Sequence, residues 1–228
     1  MGGVKRIIRY YSYCVLTPEL VHFAKRVLSM RLKILIYINF IGLFDVASAG
    51  PMLDMEKKFS SQFNVSFTIK SVGIIQSDLF GEFRYCKDEI DLDVRGEIFG
   101  EDILLALQTN DQDLVLNNVK ISRPTYLVEA MIVGFARMGL FHNIVRLSGG
   151  HSPDHADVGT EKWINIPVVV QSGDELLFDL FLFGRKASRT KLLLDTRGLP
   201  IKRTQTIYLG DEELEVTELY KVDIVCDV

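Results

Sequence analysis

Residues 126–147 read YLVEAMIVGFARMGLFHNIVRL, and this stretch decides the fold. No Pro interrupts it, and its charged residues Glu129, Arg137 and Arg146 do not fall on one helical face. A surface helix keeps a polar side, so a helix that is apolar nearly all round has to be surrounded by protein. The length invites a membrane-span reading, but two Arg, one Glu, His142 and Asn143 count against a hydrocarbon environment. The segment is read as soluble and wrapped by the rest of the chain. Gly134 and Gly139 are the points where it can divide into shorter helices, since Gly is a poor helix former.

What surrounds it is patterned as β-sheet. Upstream, Met52, Met55, Phe59 and Phe63 have helical spacing and predict an amphipathic helix over 52–63. Strands are expected at 65–75, 81–85, 90–98, 103–107 and 114–116. In 90–98 the residues Ile90, Leu92, Val94 and Ile98 alternate with Asp91, Asp93, Arg95 and Glu97, as in an antiparallel strand with one wet face. Pro124 is placed in the first turn of the apolar helix, after Ser122 or Arg123, and Gly149-Gly150 ends it. Downstream, the segment 163–170 contains Pro167, which predicts an edge strand or a bulge. Strands follow at 176–183, with Leu176, Phe178, Leu180 and Leu182 inward, and at 191–195, 201–209, 213–220 and 222–225. Ten or eleven short strands with polar turns, and no βαβ alternation, make the fold class mainly β (α+β): an antiparallel sheet curved around helix.

Composition narrows the function. The chain has 228 residues, 48% of them hydrophobic, enough for one sizeable core. A net charge of −4 gives no support to nucleic-acid binding, which needs a basic patch. Seven of the 26 Lys and Arg, but only two of the 30 Asp and Glu, fall in residues 1–49, so the remainder carries −9. Met30 opens a plausible leader: Arg31 and Lys33, an apolar run from Ile34 to Phe44, then Ala47-Ser48-Ala49 as a small-x-small cleavage signal before Gly50. Residues 30–49 are therefore read as a signal peptide cleaved after Ala49. Residues 1–29 are read as an upstream extension, and 50–228 as the single mature domain. The mature chain holds Cys86 and Cys226, which an oxidising compartment permits to pair; alternation places Cys226 inward and Cys86 outward, so two separate thiols are expected ahead of a disulfide.

No nucleophile elbow, dinucleotide fingerprint or P-loop is present. His151, Asp154, His155 and Asp157 offer ligand types that suit zinc, but Ser152-Pro153 makes their segment a loop, and it is read as a polar hinge. His142 is read as a core or rim residue. No catalytic residue, metal site or cofactor is assigned.

The text of residues 192–225, LLLDTRGLPIKRTQTIYLGDEELEVTELYKVDIV, has an Asp-bearing turn with Gly198-Leu199-Pro200 followed by two long hairpin strands. It resembles the C-terminal half of the outer-membrane lipoprotein carrier superfamily. The leader, early helix, strand meander and mid-chain apolar helices resemble that plan in order over about 52–226. The resemblance implies a half-barrel: a strongly curved antiparallel sheet with helices plugging its concave face, and acyl chains held between. In such carriers an inward-facing Arg grips the helical lid; Arg95 and Arg137 are the candidates here, neither in the family's context. A relative carrying another lipid is thus as open as a lipoprotein carrier.

The expected function is a periplasmic, non-enzymatic carrier or sensor of lipid or lipoprotein acyl chains. The expected protein is a monomer that exchanges cargo with envelope transport proteins. Its cavity is assigned to Leu105, Leu107, Phe178, Leu180 and Leu182 from the sheet and to Ile132, Phe135, Met138 and Phe141 from the plug. The alternative is a cell-envelope structural or interaction module with a filled core and no ligand.

Overall fold

Alternation in the sequence becomes a row of antiparallel strands. A computed structural model describes residues 50–59, 61–149, 164–182 and 184–224. Its strands are β1 (Phe63–Gly73), β2 (Ser77–Cys86), β3 (Glu89–Ile98), β4 (Glu101–Thr109), β5 (Asp113–Leu116), β6 (Val119–Ser122), β7 (Ile164–Asn165), β8 (Val169–Ser172), β9 (Glu175–Leu182), β10 (Arg185–Leu194), β11 (Pro200–Leu209) and β12 (Glu212–Asp223). All twelve belong to one sheet, in the order β6-β5-β4-β3-β2-β1-β12-β11-β10-β9-β7, with β8 also on β9. In β1 the buried Phe63, Val65, Phe67 and Ile69 alternate with exposed Ser66, Thr68 and Lys70, so one face is dry and the other wet.

Two meanders meet at the centre of the sheet. β1 to β6 form one and β9 to β12 the other. They join where β1 pairs with β12, from Asn64 opposite Asp223 to Gly73 opposite Leu214. The sheet is open, with β6 at one edge and the interrupted pair β7 and β8 at the other.

Several boundaries differ from the sequence reading for identifiable reasons. β6 was not expected: Asn117 and Asn118 both adopt positive φ (48° and 67°), and this two-residue turn returns the chain as a hairpin. The edge strand expected at 163–170 is broken into β7 and β8 around Pro167, which cannot donate to a ladder. The segments 213–220 and 222–225 are one strand as far as Asp223, and Phe63 opens β1 instead of closing the first helix.

Three helices are described: α1 (Gly50–Phe59), α2 (Leu127–Met138) and α3 (Leu140–Ser148). α2 begins three residues after Pro124. Ser122 lies in β6, and Arg123 instead ties the end of the sheet together through Asp88 and the Asn110 carbonyl. Of the two candidate breaks only Gly139 divides the apolar stretch, at φ 89°. Gly134 stays inside α2 because Asn143 of α3 lies against it: an added Cβ would sit 2.6 Å from Asn143 Oδ1. Asn143 also donates to the Met131 carbonyl at 3.0 Å, which locks α3 onto α2. The helices lie against the dry face of the sheet. The Phe135 ring meets Phe59 of α1, Phe63, Phe83 and Tyr220 at centroid distances of 4.8 to 6.0 Å. Among the described residues no helix is long and apolar enough to cross a membrane.

Candidate functional site

The nine residues assigned to an apolar chamber all lie on the dry side. Leu105, Leu107, Ile132, Phe135, Met138, Phe141, Phe178 and Leu180 are buried, and Leu182 is half-buried. They fall into groups. Met138 and Leu180 pack together with Leu182, Ile166 and Ala187. Phe135 stands at the centre of the aromatic cluster over β1, β2 and β12. α3 reaches β4, which carries Leu105 and Leu107. A pocket of about 480 Å³ opens elsewhere, at the β2–β3 hairpin, beside Arg84, Cys86, Lys87 and Asp91; none of the nine residues lines it.

The most heavily built polar site is the junction of α2 and α3. A helix end leaves its last carbonyls and first amides without intrahelical partners. Here two helix ends meet at Gly139, against the dry face, and the sheet supplies the partners. Arg203 of β11, 1% exposed, donates from Nη1 to the Arg137 carbonyl at 3.0 Å. Its Nη2 donates to the Ala136 carbonyl at 2.6 Å and the Phe135 carbonyl at 3.3 Å. Glu218 of β12, fully buried, accepts from the Leu140 amide at 2.8 Å and the Phe141 amide at 3.2 Å. α3 has no side-chain cap of its own, so Glu218 is its cap, delivered from another element. The cation meets a helix C-terminus and the anion a helix N-terminus, the arrangement the helix dipole favours.

Arg203 and Glu218 are cross-strand partners in the β11–β12 ladder, so both point to the same face. Tyr220, two residues further along β12, donates its hydroxyl to Glu218 Oε2. Gly139 is required twice over: its φ is unfavourable for other residues, and a Cβ there would collide with the Glu218 carboxyl and come within 3.0 Å of Arg203 Cδ. A second polar tie joins the first helix to the second, where Arg137 pairs with Glu56 at 2.6 and 3.2 Å.

Burial sets the electrostatics. It pushes the Glu218 carboxyl upward, opposed by Arg203 and by the Tyr220, Leu140 and Phe141 donors. Burial, and then the Glu218 charge, hold the Tyr220 hydroxyl well above its usual range, so it is a neutral donor. His142, on the first turns of α3, is lowered to about 3 by burial and by Arg146.

Neither sequence candidate for the gripping Arg takes that role with its side chain. Arg95 is on the wet face, paired with Asp93 at 3.1 Å, and the Arg137 side chain goes to Glu56. Arg203, Glu218 and Tyr220 were not singled out, although β12 carried a signal. Leu214, Val216, Glu218, Tyr220 and Val222 share one face, so the alternation puts an acid in an apolar row. Cys86, expected to face outward as a separate thiol, is instead half-buried and disulfide-bonded. Cys226 and the leader lie outside the described residues, as does the loop with His151, Asp154, His155 and Asp157. The sequence matches no known family model and no curated protein.

Proposed function

We propose that the protein is a periplasmic, non-enzymatic carrier or sensor of lipid or lipoprotein acyl chains. In this reading the sheet curves as a half-barrel and α2 and α3 plug its concave face. The carrying observation is the Arg203–Glu218 latch. Two buried charged residues are an expensive way to hold a core together, because apolar residues of the same volume do as well or better. What it offers is one defined geometry and a discrete release, which suits a cover over an apolar chamber. Acyl chains need such a chamber, since each CH₂ removed from water contributes about 0.8 kcal/mol. The Cys86 disulfide supports an exported location, because disulfides persist in oxidising compartments.

A second reading has its own observation. The rings around Phe135 are in mutual contact, which favours a filled core and an envelope interaction module. Native mass spectrometry of the full chain, purified from an envelope fraction and followed by lipid extraction, separates the two. The carrier reading expects a bound acyl species. An empty protein that also ignores a fluorescent fatty-acid probe would transfer the assignment to the interaction module.

A further inference from the structure

Among the described residues, four buried side-chain polar atoms lack a hydrogen-bond partner: Asn64 Oδ1, Thr190 Oγ1, Arg203 Nε and Gln205 Oε1. Three of the four share one place. Thr190 of β10 stands directly opposite Gln205 of β11, and Arg203 is two positions further along β11 on the same face. Directly opposed side chains have Cβ atoms about 5 Å apart, and diagonal neighbours remain within reach of long side chains. All three residues are 3% exposed or less. Gln205 has one satisfied end, donating from Nε2 to Ser188 Oγ at 2.8 Å. Native interiors leave few such atoms unpaired, and a cluster of them calls for a missing partner.

The neighbouring strand is apolar on the same face. Thr190 is flanked across the β9–β10 ladder by Phe178, and Ser188 by Leu180. Leu180 and Leu182 continue into the contact with Met138. A polar row therefore lies beside an apolar row, both beneath the helices.

We propose that this strip of β10 and β11 is a polar subsite for the linking group of an acyl ligand, with the chain lying along β9 and Met138. The unpaired set is a guanidinium N–H, a hydroxyl and an amide oxygen. The first two accommodate a carbonyl oxygen, and the third accepts from an adjacent N–H. The matching ligand is an acyl amide; an acyl ester offers the carbonyl alone. Arg203 is shared with the latch, so an occupant of the subsite touches the residue that holds α2 closed. This inference rests on the carrier reading and adds the ligand's head chemistry to it.

The test uses the full chain loaded with a fluorescent fatty-acid probe, displaced by palmitamide or by methyl palmitate. The wild type should prefer the amide by about tenfold, the factor for one to two net hydrogen bonds. Gln205→Met should bring the two ligands close to parity while methyl palmitate still binds, and Thr190→Val, nearly isosteric, should weaken both ligands and keep the preference. A melting curve for each variant shows that it is folded. If both ligands displace the probe equally in wild type, or the preference survives in Gln205→Met, the subsite is refuted and ordered water satisfies those atoms. If neither ligand displaces the probe and none binds, the carrier reading falls and the subsite with it.

Discussion

Replacing Glu218 with Leu would strand two buried amides and remove the carboxyl group opposite Arg203 in the ladder. Leaving buried charged and backbone polar groups uncompensated costs about 3–5 kcal/mol, so Glu218→Leu and Arg203→Met should each lower denaturant stability by that order. The double variant should lose less than the sum, because the second change removes the charge exposed by the first. Two titrations act in opposite directions. Burial raises the Glu218 carboxyl above its ordinary 4.5, so the folded chain holds that proton more tightly than the unfolded chain. The resulting stability is complete below pH 4.5 and is lost as pH rises through the higher folded value. His142 falls from 6.5 to about 3; its contribution is complete above pH 6.5 and is lost as pH falls toward 3. Melting temperatures measured from about pH 3 to 8 should show Glu218→Gln flattening the loss on rising pH, and His142→Leu the loss on falling pH. At this scale the sequence was partly legible. Apolar residues such as Phe178 and Leu180 announced their faces by alternation, whereas Arg203 and Glu218 drew no assignment. The alternation of β12 placed Glu218 in an apolar row, but the partners that make its burial tolerable come from α3, which no local pattern displays.

The apolar stretch was legible as an element, with Gly134 and Gly139 as candidate breaks, because Gly is a poor helix former. Gly134 was indistinguishable from Gly139 in the sequence, since the Asn143 contact that keeps it inside α2 is tertiary. The two should respond differently to Ala. Gly139→Ala combines a strained backbone with a clash against Glu218 and should destabilise by at least about 2 kcal/mol. Gly134→Ala gains about 1 kcal/mol of helix propensity but forces Asn143 away. Its net effect should be a loss of about 1–3 kcal/mol, read by the same denaturation curves. Strand boundaries were less legible than strand faces. Asn117-Asn118 and Pro167 were visible as residues, but their effects depended on the strands they join.

At the scale of the molecule, β2 and β12 run parallel on either side of β1, and β2 ends in Cys86 at the end of the sheet where β12 finishes. Peptide mapping without reduction should link Cys86 to Cys226. A link to Cys14 would place residue 14 in the mature protein and end the leader reading. Reduction should lower stability by about 2–4 kcal/mol, seen as a shift in the denaturation midpoint.

The seam between β1 and β12 sets the order in which the chain becomes protein. Each meander pairs neighbours and can form locally, but the middle of the sheet waits for its first and last strands to meet, and such long-range pairings are slow. Arg203 and Glu218 arrive with the final hairpin, so the helical junction has no caps until then. A ribosome or a translocation channel that still holds the C-terminal strand also holds the chain unfinished. On the carrier reading, export would thus find the chain threadable until its last strand is free.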